Sequence, residues 1–165
     1  MRKFLLVALL AVSLPALAYD VNGVKLGARE GDVKKAFPSV RCKALEWKSD
    51  AADRRCDDAR IALNGVEARI TIVLKADAIQ EVDLRFDVKD LERVKATLRS
   101  RWGAPLAEAT ETIAGRGKDD KDRRVYKVRW EKGADRAILT AQLEKKRATL
   151  EISRGRFAEE IYRVR

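Results

Sequence analysis

The chain of 165 residues is basic, with 36 Lys and Arg against 26 Asp and Glu and a formal charge of +10, and it has two cysteines and no histidine. The missing histidine excludes Ser-His-Asp and Cys-His nucleophile systems and histidine metal sites. No glycine-rich phosphate loop occurs, and none of the five serines begins a Ser-x-x-Lys motif.

Arg2 and Lys3 precede an apolar run from Phe4 to Leu14, then Pro15 and the triplet Ala16, Leu17, Ala18. That pattern predicts a secretory signal peptide over residues 1–18, cleaved after Ala18, because the apolar run is too short to span a bilayer and ends on small residues. No cysteine stands at the cleavage point to carry a lipid, and no transmembrane segment follows. The expected location is the periplasm. Cleavage would leave 147 residues with 34 basic and 26 acidic side chains, about +8. This length fits one domain, or two small ones sharing a core. An oxidising compartment makes Cys42 and Cys56 a structural disulfide, with two free buried thiols as the alternative.

In the mature chain, Tyr19 to Gly27 reads as extended, and Gly31 to Phe37 as a short helix. Val33, Ala36 and Phe37 share one apolar face there, and Pro38 ends it. Val40 and Cys42, with Leu45 and Trp47, point to a strand, and Ser49 to Arg55 to a polar tip. From Ala59 the period becomes two. Ile61 and Leu63 lead to a turn at Asn64-Gly65, a strong hairpin signal, and then to Ala68, Ile70, Ile72 and Leu74. A turn over Lys75 to Ala78 precedes a third strand carrying Val82, Leu84 and Phe86.

Asp90 opens a longer helix with Leu91, Val94, Leu98 and Trp102 spaced for burial, closed by Gly103-Ala104-Pro105. A strand is predicted over Leu106 to Ala114. The charged run Gly115 to Arg124 reads as a solvated hairpin tip. Three strands follow, through Tyr126, Val128 and Trp130, through Ala137, Leu139, Ala141 and Leu143, and through Ala148, Leu150 and Ile152. Phe157, Ile161 and Val164 fit a short docking helix at the end of the chain.

The two halves are alike. Val33-Lys34-Lys35-Ala36-Phe37-Pro38 sets against Val94-Lys95-Ala96-Thr97-Leu98 with Trp102-Gly103-Ala104-Pro105, and each is followed by about four strands; the offset drifts from 61 residues at Val33/Val94 to 69 at Leu74/Leu143. The expected fold class is α+β: tandem helix-plus-antiparallel-sheet units over residues 19–88 and 89–165, with helices on one sheet face and one disulfide. This pattern, carried by Leu98 to Pro105 and by Gly27, Gly31, Val33, Phe37 and Pro38, resembles the beta-lactamase inhibitor protein fold and the small outer-membrane-assembly lipoprotein domain. The resemblance implies a non-enzymatic protein-binding module that uses the sheet face away from the helices. The first unit departs from it in lacking a Gly-x-Pro after its helix, and the cleavage site lacks a lipidation cysteine.

Alternation that buries Ile70, Ile72, Val82, Leu84, Tyr126, Val128 and Leu150 turns Arg69, Thr71, Glu81, Asp83, Arg85, Lys127, Arg129, Thr149 and Glu151 outward. The candidate binding face is therefore Arg69, Arg85, Lys127 and Arg129, where the arginine guanidinium forks suit carboxylates, with Trp47 as an aromatic anchor. The partner expected is an envelope or periplasmic protein. The alternative is a basic binder of anionic envelope glycan or lipid; nucleic acid is a poorer candidate because of location. No cofactor, metal site or catalytic residue is assigned. Two carboxylate groups, Asp50, Asp53, Asp57 and Asp58 near the cysteines and Asp119, Asp120 and Asp122 in the charged tip, leave a glycosidic acid pair or a calcium site as lesser options. Both are interleaved with Lys and Arg, and neither has calcium-loop spacing.

Overall fold

The computed structural model describes residues 19–115 and 121–161. The signal peptide expected over residues 1–18, Asp119 and Asp120 of the charged tip, and Val164 lie outside the described residues.

A two-residue hairpin, β1 (Asp20–Val21) and β2 (Val24–Lys25), leads into helix α1 (Glu30–Ala36). Four strands follow, β3 (Arg41–Ala44), β4 (Arg54–Leu63), β5 (Val66–Lys75) and β6 (Ala78–Phe86). A 3-10 turn over Val88–Asp90 opens helix α2 (Leu91–Trp102). Then come β7 (Ala107–Ile113), β8 (Arg123–Lys132), β9 (Asp135–Gln142), β10 (Arg147–Arg154) and the four-residue helix α3 (Phe157–Glu160). The strands β3 to β10 form one antiparallel sheet in the order β3-β4-β5-β6-β10-β9-β8-β7. The first four thus run consecutively across one half and the last four run in reverse across the other, meeting at β6 and β10. There Leu84 pairs with Leu150 and Val82 with Ile152.

Alternation places one apolar set on a single face. Ile70, Ile72, Leu74, Leu84, Leu139 and Leu150 are fully buried and belong to one cluster with Val33 of α1, Phe37 at its end, and Leu91, Val94 and Leu98 of α2. The opening segment is more than extended chain: Tyr19, Val21, Val24 and Leu26 are buried in the same core. Trp102 joins it to the second half, with its ring 4.7 Å from Tyr19 and 5.8 Å from Trp130, while the Trp130 indole donates to the Gly103 carbonyl at 3.1 Å. No helix among the described residues is long and apolar enough to cross a membrane.

Turn chemistry fixes the register. Asn64 and Gly65 both take positive φ, 49° and 78°, as a two-residue hairpin turn requires. The β5–β6 turn has no glycine, and Ala76 and Asp77 are left-handed at φ 47° and 62°. This conformation costs an alanine roughly 1–2 kcal/mol. Local bonds offset it: the Asp53 carboxylate accepts from the Ala76 amide at 2.8 Å, and the Asp77 carboxylate accepts from the Glu30 amide at 3.1 Å.

Strand β4 begins at Arg54, five residues before the change of period at Ala59, so Arg54 and Arg55 belong to a strand and not to a polar tip. The charged start is tolerated because its side chains neutralise one another. Arg55 forks onto Asp57 with two bonds of 2.7 Å, Thr71 donates to Asp57 at 2.9 Å, and Arg54 donates to Glu30 at 2.6 Å. Cys42 and Cys56 are directly opposed in the β3–β4 ladder and joined by a disulfide.

Candidate binding face

The face opposite the core is written by the ladder register. One row runs Asp57, Thr71, Asp83, Glu151, Ile138 and Arg129 across β4, β5, β6, β10, β9 and β8. The next runs Arg55, Val73, Glu81, Ser153, Arg136 and Glu131. On the other side of the first lies Arg69, Arg85, Thr149, Thr140 and Lys127.

Part of this face is covered. Val73, an apolar residue at an outward position, is buried with Ala52, Phe157 and Ile161, and Leu45 and Ala51 pack against them. The Ser49 hydroxyl donates to the Ile161 carbonyl at 3.0 Å, tying the loop between β3 and β4 to the C-terminal helix. Beside this roof lies a cavity of about 310 Å³, walled by Leu45, Trp47 and Ile161, with Glu81, Asp83 and Glu151 on its floor. The cover corrects the expectation that the outward residues are all exposed: Thr71, Glu81, Asp83 and Glu151 are half-buried, whereas Arg69, Arg85 and Arg129 are exposed.

Burial, and then the like charges of Glu151 and Asp83, push the Glu81 carboxyl up to about 8. Burial also raises Glu151, against the pull of Arg136. One Asp83 oxygen is buried without a hydrogen-bond partner among the described residues. The other lies 3.5 Å from an Arg85 nitrogen. Arg55 and Arg85 also line this cavity, so a basic protein gathers three carboxyls and two guanidinium groups beside a tryptophan.

A second hollow, of about 540 Å³, adjoins the cavity and shares Arg85 with it. Its cations are Arg69, Arg85, Arg147, Lys89 and Lys146. Its carboxylates are Glu67, which pairs with Arg60 at 3.5 Å, Asp87, which accepts from the Lys89 amide at 2.9 Å, and Asp90.

The five residues assigned to the binding face do not converge on one site. Arg69 and Arg85 line the basic hollow, Trp47 stands 39% exposed at the cavity with the carboxyl floor, and Arg85 lines both. Lys127 and Arg129 lie two strands beyond β10 and are neutralised by Glu111 at 2.8 Å and by Glu131. Sequence reasoning missed the acidic floor as a site, together with Arg147 and the roof. A signal was present in Val73, which interrupts the outward polar set, and in Phe157 and Ile161, which need an apolar surface to cover.

The carboxylates near the disulfide are engaged elsewhere. Asp57 holds Arg55 and Thr71, Asp58 accepts from Ser39 and from the Arg60 amide, and Asp53 caps the β5–β6 turn. Glu30, Cys42 and Cys56 bring potential metal-ligating atoms within 4.8 Å of one another. The two sulfurs are bonded to each other, and the carboxylate is held by Arg54 and Lys34, which lower its pKa, so the group offers no metal donor set in this state. Comparison with protein families, characterised proteins and solved structures finds no match to this chain.

Proposed function

We propose that the chain is an exported, non-enzymatic module that binds an envelope or periplasmic protein through the outward sheet face. In this reading it is built as two tandem helix-plus-sheet units sharing one sheet, as in the beta-lactamase inhibitor protein fold that the sequence resembles. The observation that carries the proposal is the change of charge along the face, from the cationic hollow of Arg69, Arg85 and Arg147 to a mixed cavity where the carboxyls of Glu81, Asp83 and Glu151 meet Arg55 and Arg85. An anionic glycan or lipid surface gains from the first and finds in the second Asp83 and Glu151 offsetting the cations beside them. A protein segment can present both signs in order, and Trp47 at the cavity wall is the residue type that anchors protein interfaces.

The test is affinity capture from envelope extract at two salt concentrations, with the captured protein identified, purified and rebound. Binding should survive moderate salt and fall at least about tenfold in Trp47→Ala. Binding that vanishes with salt and ignores Trp47 would return the protein to the polyanion class. A second reading, acid–base hydrolysis of a glycan, draws on one observation: Glu81 keeps its proton near neutral pH on a floor it shares with Asp83 and Glu151. Glycan hydrolysis by the full chain that is lost in Glu81→Gln would establish it in place of binding.

A further inference from the structure

We infer that Arg69, Arg85 and Arg147 form a site for a carboxylate of the partner, an Asp or Glu side chain on an acidic segment crossing β5, β6 and β10. This rests on the sheet-face reading and names the chemistry that the face selects.

Register brings the three together. Arg69 is directly opposite Arg85, Arg85 is opposite Thr149, and Arg147 lies two residues before Thr149 on the same side of β10. Like charges directly opposite one another on neighbouring strands are destabilising. Among the described residues, one contact of 3.5 Å relieves them. The Arg69 and Arg147 guanidinium groups have no hydrogen bond or ion pair among the described residues, and that of Arg85 meets only Asp83 of its own strand, at 3.5 Å. Lys89 and Lys146 line the same hollow, and neither ammonium has an ion pair among the described residues.

Three other cations of this sheet face are paired, and a fourth, Arg136, lies near the Glu151 charge although its buried Nε has no hydrogen-bond partner among the described residues. Arg55 is forked onto Asp57, Lys127 pairs with Glu111 and Arg129 with Glu131. Unpaired cations are thus concentrated in one hollow, where Arg69, Arg147, Lys89 and Lys146 gather around Arg85. Guanidinium forks match planar oxyanions in bidentate geometry. Asp87 and Asp90 in the hollow, and Asp83 beyond Arg85, set a limit on the charge accepted and favour a singly charged carboxylate over a dianionic phosphate.

The experiment follows fluorescein-labelled hexaglutamate by anisotropy with the full chain at low salt. Arg69→Glu with Arg147→Glu should weaken binding at least about tenfold. Lys127→Glu with Arg129→Glu changes the net charge equally and should have less than about a twofold effect. Equal weakening by the two pairs, or no hexaglutamate binding by the wild type, would overturn the site. Arg69→Lys with Arg147→Lys keeps charge and fold and should still lose about threefold, because the forks are gone; full retention would reduce the site to a diffuse field. Inorganic phosphate displacing the peptide better than propionate would reassign the site to phosphate and overturn the carboxylate. If the captured partner still binds the Arg69→Glu, Arg147→Glu protein but not Trp47→Ala, the arginine site falls and the face stands. If both variants bind it normally, the face reading falls as well.

Discussion

The two edges of the sheet are protected by different physics. At one, β3 has four residues, is joined to β4 by the Cys42–Cys56 disulfide at a register pair, and continues into the loop that covers Val73. At the other, β7 has seven residues, every one exposed, and no crosslink. Beyond its ladder to β8, its side-chain ties are ion pairs of Glu108 with Arg99 and of Glu111 with Lys127, with the Tyr126 hydroxyl also donating to Glu108. Charged side chains on an exposed edge also discourage pairing with another strand. The covalent edge is thus the one that positions a roof over the cavity, and the ionic edge is simply an end of the sheet.

This comparison can be broken first at Trp130. It is 2% exposed, packs edge-on to Trp102 and spends its indole N–H on Gly103, so it holds β8 to the core where no disulfide does. Trp130→Ala should cost about 3–5 kcal/mol in urea unfolding. A smaller loss than that from cutting the disulfide would mean that the second half is not core-anchored. Replacing both Cys42 and Cys56 by Ala should cost about 2–4 kcal/mol, by removing a crosslink from the unfolded chain. Hydrogen exchange should accelerate in β3, β4 and the loop around Trp47 and change little in β7 and β8. Equal acceleration at both edges would show that the disulfide acts globally, not as a local staple.

How far the sequence anticipates this molecule depends on which signal a residue sends. Strict alternation at Ile70, Ile72 and Leu74, the Asn64-Gly65 turn, and the Gly103 stop after α2 all report local physics, and the structure places these elements where expected. Arg54 to Asp58 conceal a strand because charges there are satisfied by pairing with Glu30, Thr71 and one another, which no periodicity records. The candidate site is less legible. Its acidic floor combines Glu81 and Asp83 of β6 with Glu151 of β10, some seventy residues on, and only the β6–β10 ladder brings them together. Arg69 and Arg85 were readable as outward residues, but Arg147 joins them through the same long-range pairing.

The acidic floor gives a test between the two edges. The folded-state pKa of Glu81 lies above that of an unfolded glutamate, so the native state holds a proton that the unfolded state has released between pH 4.5 and about 8. Stability attributable to this group is full below pH 4.5 and falls as pH rises toward 8. Glu81→Gln should therefore stabilise the protein by roughly 2 kcal/mol at pH 9, after allowance for solvent screening, and have little effect at pH 4. An unchanged difference between wild type and variant across that range would mean that the roof does not exclude water from the cavity.

The smallest expected effect lies at the open edge and has the opposite sign with pH. The Glu108 carboxyl is held low by the Tyr126 hydroxyl and by Arg99 and Lys95, with burial opposing them. Its contribution is present above the unfolded glutamate pKa and is lost as pH falls through the lower folded value. The group is about one-third exposed, so Glu108→Gln should cost only about 0.5–1 kcal/mol at pH 7, less in high salt, and nothing once the carboxyl is protonated in both states. Lys95, which also donates to Tyr126 at 2.9 Å and sits 5.0 Å from its ring centre, should keep α2 in place in the variant, confining faster hydrogen exchange to β7. Loosening that spreads into β8 and β9 would show that the ionic edge is as integral to the sheet as the disulfide edge, and the contrast between them would collapse.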